Sequence, residues 1–428
     1  MLVRTWKIVA ANALVAVLGI GTAWCQAPKK EVKDRAEYDL FMSVTKETND
    51  AKRLEYLNTW KEKYPDSAFK EERLQYFLNT YKNLNKGANM LETAKEMTAM
   101  DPKNLMGLYW QTVLTVTLAD TSPDALAAGE KAANSLIACI DTGKPAGATE
   151  EAWQKEKKTL ESVAHTTLGW VAMQRKQSEA AEKSFAKSLE YNPNNAQVAY
   201  WMGATILAQR KGERQAEALF YFARAAAMTG PGALTGPVKQ TAEQYFTKLY
   251  TTYHGDASGI DEVKNYAAAN TKPGPDFKLL SKLEIQSQKD QEFAKQNPQL
   301  ALWMRVKTEL AAANGEQYFA EHVKDTALPP LKGRIVSHKP AKFPKEIVVG
   351  IEKADVAEIT LKLENPPKGA VKADPGTEIE FEGTPVAFTR EPFNLTVEVE
   401  PAKLKGWPAP PPPAKKAVVA KKKVAKKK

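Results

Sequence analysis

Four histidines, His165, His254, His322 and His338, and two cysteines, Cys25 and Cys139, are the side chains of this 428-residue sequence best suited to metal binding or nucleophilic chemistry. Their spacing supports neither. A zinc site draws its ligands from a short turn or one helix face, as in H-E-x-x-H or C-x2-C, and the histidines are scattered with no such pairing. A catalytic thiol needs a histidine and an orienting group beside it. Cys139 lies instead in the apolar stretch from Ala133 to Ile140, where cysteine serves as a small hydrophobe. No G-x-S-x-G elbow, Walker loop or G-x-G-x-x-G turn occurs. The carboxylate pairs Glu71-Glu72 and Glu150-Glu151 fall at expected helix starts, where acids favour the helix dipole without acid-base work. His165 falls on an expected helix as a surface or contact residue. The sequence predicts a protein that is not an enzyme, with no cofactor, no metal and no small-molecule substrate.

The charge is positional. Of a net +10, eight units are Lys415, Lys416, Lys421, Lys422, Lys423, Lys426, Lys427 and Lys428, in a C-terminal run without acids. With Arg4 and Lys7 set aside as well, the body is near neutral and lacks a general field that would steer a polyanion. Residues 405–428, Pro-rich from Trp407 and then only Lys, Ala and Val, are expected to be disordered, with Pro410 to Pro413 as an extended spacer. The tail serves solubility, or attachment to an anionic envelope polymer or lipid headgroups, with nucleic acid as a further alternative.

Residues 1–25 have the form of an export signal. Arg4 and Lys7 precede an uncharged apolar run from Ile8 to Ala23, and Ala23-Trp24-Cys25 offers a small-x-small cleavage site before Gln26. Cleavage after Cys25 is expected, with retention as an N-terminal anchor as the alternative. Either outcome puts the rest of the chain outside the cytoplasm, in the periplasm or associated with the envelope.

The elements that must position any site are helical from Ala36 to Val323. Apolar spacing predicts two short helices over 36–66, a second pair that closes at Asp101-Pro102, helices at 104–119 and 123–141, one that starts at about Glu150, and helices at 238–253 and 258–269. Gly230-Pro231-Gly232 and Lys272-Pro273-Gly274-Pro275 interrupt them. Residues 272–328 are expected as a helical linker region with helices near 277–295, 298–312 and 316–323. In the middle of the run, Leu168-Gly169 is followed by Ala181, Phe185 and the closing Pro193, and Gly203, Ala216, Phe220 and Ala223 repeat that order. Gly169 and Gly203 are 34 residues apart.

This pattern resembles the tetratricopeptide repeat (TPR), in which L-G, a later A-x3-F and a closing Pro mark one helix-turn-helix unit. The resemblance implies an α-solenoid over residues 28–271, with an earlier, degenerate unit in which Leu78 stands at the glycine position. It also implies a non-catalytic scaffold that binds a protein or peptide in a groove lined by the first helix of each hairpin. The corresponding positions are Gln75, Asn79, Lys82 and Asn83, then Thr166, Trp170, Met173 and Gln174, then Gln197, Tyr200 and Leu207. Trp170 and Tyr200 are the aromatic anchors of that groove or, alternatively, packing residues between helices. Apart from Lys82 these positions lack the cations with which such repeats grip a C-terminal carboxylate.

At Pro329-Pro330 helical period gives way to alternation. Strands are predicted at Leu331–Ser337, Glu346–Glu352, Ala357–Leu363, Thr377–Phe388 and Phe393–Val399. Five strands opening on L-K-G-R-I-V, with a glycine inside the fourth, resemble an OB-fold barrel over residues 329–404, a small β-sandwich being the alternative. An OB barrel would offer Phe381, Phe388 and Phe393 for stacking single-stranded bases, although alternation turns most of them inward.

Overall fold

The computed structural model describes residues 34–145 and 147–410. The expected signal at 1–25 and the tail lysines Lys415 to Lys428 lie outside the described residues. The chain forms two compact units that divide between Lys282 and Leu283.

The first unit is a succession of helical hairpins: α1 (Arg35–Lys46) and α2 (Asp50–Lys63), α3 (Lys70–Asn83) and α4 (Gly87–Met100), α5 (Leu105–Leu118) and α6 (Pro123–Ile140), α7 (Glu150–Gln174) and α8 (Ser178–Tyr191), α9 (Ala196–Ala208) and α10 (Gln215–Ala227), α11 (Gly236–His254) and α12 (Ile260–Ala269). Their starts are written locally. Asn49, Asn104, Ser122, Thr149 and Asn195 each cap a helix by accepting from the backbone N–H three residues on, which satisfies a donor that the helix itself leaves open. Four hairpins also turn alike. Asn85, Ala119, Lys176 and Arg210, one or two residues after the ends of α3, α5, α7 and α9, all have φ between 52 and 61°. In two of them the turn closes the same way, Lys86 N–H donating to Tyr81 O at 2.8 Å and Gln177 N–H to Ala172 O at 2.9 Å. That is the Schellman closure of a helix C-terminus.

Apolar faces then pack consecutive helices from α1 to α11, while α5 also packs on α7 and α12 packs on α10. The largest core runs from Val116 of α5 and Leu126 of α6 to α12 through Trp170, Phe185, Phe220, Phe222 and Phe246. Two buried guanidiniums tie helix ends into this packing. Arg73 donates to Trp60 O at 3.1 Å, Tyr64 O at 2.6 Å and Pro65 O at 3.3 Å. Arg224 donates to Ala267 O at 2.9 Å, Pro193 O at 2.8 Å and Asn270 O. Each neutralises the negative end of a helix with a fixed cation.

The second unit opens with α13 (Lys282–Gln296), which buries no residue, followed by α14 (Pro298–Ala311) and a short α15 (Gly315–Tyr318) that continues as a π turn to Val323. Seven strands follow: β1 (Leu331–Lys339), β2 (Glu346–Gly350), β3 (Ile359–Lys362), β4 (Glu378–Phe381), β5 (Thr384–Arg390), β6 (Phe393–Glu398) and β7 (Leu404–Lys405). They form one mixed sheet in the order β5-β6-β3-β2-β1-β4-β7. Every pairing is antiparallel except β3 with β6.

Two expectations change here. The fourth strand, expected as continuous over Thr377–Phe388, breaks at Glu382-Gly383 into β4, which pairs with β1, and β5, which pairs with β6. A Cβ on Gly383 would sit 2.4 Å from Glu398 O, so the chain turns where only glycine fits. The seven strands, as paired, do not close into a five-stranded barrel. The second change concerns the expected linker region, because α14 contributes Trp303, Val306 and Leu310 to the same core as the sheet. A buried carboxylate fastens it. Glu358 accepts from Lys307 Nζ of α14 at 2.5 Å and from Ile351 N–H and Glu352 N–H at 2.7 Å each. Burial works to raise the Glu358 carboxyl, but Lys307 and the two N–H donors outweigh it and hold it below the usual carboxylate range.

Candidate functional site

The hairpin contacts set what the first helices have left to offer. On α7, Gly169 faces α8, and a Cβ there would lie 2.5 Å from Phe185 Cδ1. The ring of Phe185 rests on the space a side chain would occupy, one helical turn beyond Ala181 on the same helix. On α9, a Cβ on Gly203 would lie 2.9 Å from Ala218 O and 3.0 Å from the Phe222 ring. Ala218 and Phe222, not Ala216 and Phe220, are therefore the counterparts of Ala181 and Phe185. The register differs because the turn is longer. Residues Arg175 to Gln177 join α7 to α8, whereas Gln209 to Arg214, including a 3-10 turn at Gly212–Arg214, join α9 to α10. Phe220 packs the other way, edge-on to Phe277 at 5.4 Å and Tyr266 at 6.1 Å. Ala223 is buried in the same core, and Leu168 is half-buried against the core of α5 to α7. Pro193 offers its carbonyl to Arg224.

Other small residues at helix contacts escaped the repeat pattern. Gly107 of α5 lies against Ala94 and Thr98 of α4, and Gly129 of α6 lies against Thr115 of α5. In the second case the glycine sits on the second helix, so a search for glycine on the first helix passes over it.

The expected groove residues separate into two groups. Trp170 is 3 % exposed and belongs to the core. Its packing role removes it as a surface anchor. Thr166 is buried, and its hydroxyl joins Ser188 Oγ at 2.7 Å and donates to Ser162 O at 2.8 Å in a seam between α7 and α8. Gln197 is buried at the start of α9. These three face helices.

The second group reaches the surface. Asn79, Lys82 and Asn83 of α3 are exposed and Gln75 is half-buried, with Asn83 donating to Asp50 Oδ1 at 3.2 Å. Met173 and Gln174 are half-buried at the end of α7, as are Tyr200 and Leu207 on α9. The Tyr200 ring meets Phe222 edge-on at 5.1 Å and lies 5.9 Å from Tyr245 of α11. Burial, with Tyr245 adding, pushes its hydroxyl up to about 12, so it stays a neutral hydrogen-bonding group.

The titratable residues of the sequence search do not converge. His165 stacks on Tyr191 with ring centroids 6.0 Å apart, and burial, with Lys187 adding, holds its imidazole below the ordinary histidine range. His254 lies 3.0 Å from Leu280 O, and His322 lies against Tyr318. Cys139 is buried among Leu105, Leu136 and Trp153. Among the described residues no group of three or more His, Cys, Asp or Glu side chains is placed to hold a metal. In the second unit Phe381 is buried, Phe388 packs on Phe319 at 5.0 Å, and Phe393 meets Trp303 at 6.0 Å. A cleft of about 590 Å³ lies there between the α13–α14 junction and the start of β1, bounded by Asn297, Lys332, Arg334 and Glu352.

No protein-family model matches the chain, and no curated protein matches it. Among solved structures it is similar to a thermophilic TPR protein of Thermus thermophilus, at 16% sequence identity, covering 50% of this chain and 95% of that one with a TM-score of 0.28. The hairpin array of the first unit is TPR-like on its own geometry, through the recurring turn and the Gly169–Phe185 and Gly203–Phe222 contacts.

Proposed function

We propose that the protein is a non-catalytic interaction scaffold of the bacterial cell envelope, binding a protein or peptide along the first helices of its hairpins. The carrying observation is how those helices divide their residues. Trp170, Thr166, Gln197 and Gly203 are used in packing, whereas Gln75, Asn79, Lys82, Met173, Gln174, Tyr200 and Leu207 remain at the surface as a mostly uncharged, hydrogen-bonding and apolar set. Such a set suits a peptide whose backbone and side chains need partners, and the near-neutral body adds no competing field. The apolar N-terminal run after Arg4 and Lys7 supports an export route to the envelope.

For the second unit we propose an OB-like module. The order β1-β2-β3-β6-β5, with β4 and β5 as two halves of one bent strand, follows OB connectivity. Photocrosslinkers placed at Asn79 and Leu207 test the scaffold reading. Both are expected to capture the same envelope protein, while probes at the exposed second-helix positions Glu92 and Ala180 capture none. Capture from the second helices alone overturns it.

A further inference from the structure

One end of the second unit combines features that neither its core nor the hairpin surface explains. The loop between β1 and β2 and the loop between β3 and β4 meet there, Phe343 N–H donating to Val371 O at 2.7 Å. At this junction both side chains point away from the core: Phe343 is 57% exposed and Val371 39%. Phe343 also has φ 53°, in the left-handed region that bulky residues avoid. The loops are held in place from behind. His338 bridges them, with Nε2 3.0 Å from Ala373 O and Nδ1 3.3 Å from Pro340 O. Trp407 Nε1 donates to Ala370 O at 2.9 Å, and Ala370 N–H donates to Pro408 O at 2.8 Å.

Around the two apolar side chains the same loops carry exposed Lys339, Lys342, Lys345, Lys368 and Lys372, against Glu346, Glu364 and Asp374. Lys372 lies 4.0 Å from Asp374. The final lysine run follows this corner in sequence. Lys415 is seven residues beyond the anchored Pro408, a reach of at most about 25 Å for an extended chain.

We propose that this corner docks on an anionic lipid surface, with Phe343 and Val371 entering the headgroup boundary and the loop and tail lysines contacting lipid phosphates. Two apolar tips inside a cationic collar match a surface that is apolar within and negative at its rim. A single weak element does not hold a protein there, and an apolar contact plus a polybasic segment supplies the two signals that stable attachment takes. A soluble polyanion would use the lysines and leave Phe343 idle.

The test is co-sedimentation of the chain from Gln26 onward, as the expected cleavage leaves it, with vesicles of phosphatidylcholine alone and of phosphatidylcholine with phosphatidylglycerol. Binding is expected only to the second, in a salt-dependent manner. Phe343→Gly with Val371→Ser should lower the partition coefficient about tenfold. Glycine adopts φ 53° without strain, so the thermal midpoint of Phe343→Gly is expected to hold or rise, separating lost docking from lost folding. Truncation after Pro410 should weaken binding at low salt and leave a remainder that still depends on Phe343. Absence of binding to phosphatidylglycerol vesicles overturns the proposal, as does binding indifferent to Phe343→Gly with Val371→Ser. An equal loss of single-stranded oligonucleotide binding in that double variant would also overturn it, by assigning the corner to nucleic acid.

Discussion

Gly169 shows how one missing side chain governs a helix contact. Because a Cβ would come 2.5 Å from the Phe185 ring, which is itself fully buried, neither helix can absorb it without moving. Gly169→Ala is expected to cost roughly 1–3 kcal/mol, and Gly169→Leu more, read as a fall in the urea midpoint. An unchanged midpoint would mean the ring has somewhere to go. Arg214 ties neighbouring hairpins by a different device. Its guanidinium pairs with Glu182 at 2.7 and 2.9 Å and with Glu217 at 2.7 and 2.8 Å. The hydrogen bond from Arg214 holds the Glu182 carboxyl below its usual range. A lowered folded-state value means the stabilisation is present above the unfolded carboxyl range, near pH 4.3, and is lost as pH falls through the folded value. Both side chains keep 23% exposure, which screens the pair. Glu182→Gln should therefore cost only about 1 kcal/mol at neutral pH. That difference should shrink as pH falls below the unfolded carboxyl range and vanish only once the folded-state Glu182 carboxyl is itself protonated, and a difference that persisted at that point would assign it to packing.

At the scale of the element, the repeated unit is as much a turn as a helix contact. Lys176 is exposed and has φ 61°, where the L side chain is a liability and glycine is not. Lys176→Gly should stabilise the first unit by about 0.5–1 kcal/mol, visible as a higher thermal midpoint. Destabilisation would mean that its stem packs. The helices themselves were legible because capping residues and apolar spacing are local, as Asn104 with Gly107 and Ser122 with Ala125 illustrate. The register of α10 was not. Its sequence, Q-A-E-A-L-F-Y-F-A-R-A-A-A, offers several Ala and Phe positions, and only the length of the preceding turn selects Ala218 and Phe222. The break between β4 and β5 was hidden for a similar reason, since Glu382-Gly383 keeps the alternation while the strand changes partners. Trp170 and Thr166 illustrate the same limit at the candidate site. A first-helix position has the same spacing whether it faces a groove or the next helix, and packing between hairpins decides which.

For the whole molecule, the question is where one cooperative body ends. The core that runs through the last hairpins reaches Leu279, and the core of the second unit begins with Leu300 and Trp303. Between them lies α13, with no buried residue. Side-chain hydrogen bonds run along the helix itself, such as Gln286 with Asp290 at 2.7 Å and Gln296 with Glu292 at 3.2 Å. A helix of this length without tertiary packing is marginal in water, so opening it disturbs neither core and costs little. Among the trypsin sites between residues 34 and 410, Lys289 and Lys295 are therefore expected to be cut first under native conditions. The products would be one fragment carrying the hairpins and one carrying α14 with the sheet, identified by mass. Lysines in helices that contribute buried residues to a core, such as Lys157 on α7 or Lys307 on α14, should be cleaved only after denaturant is added. First cleavage inside α7 to α12, or resistance of α13 equal to theirs, would show that α13 is held by something beyond its own backbone.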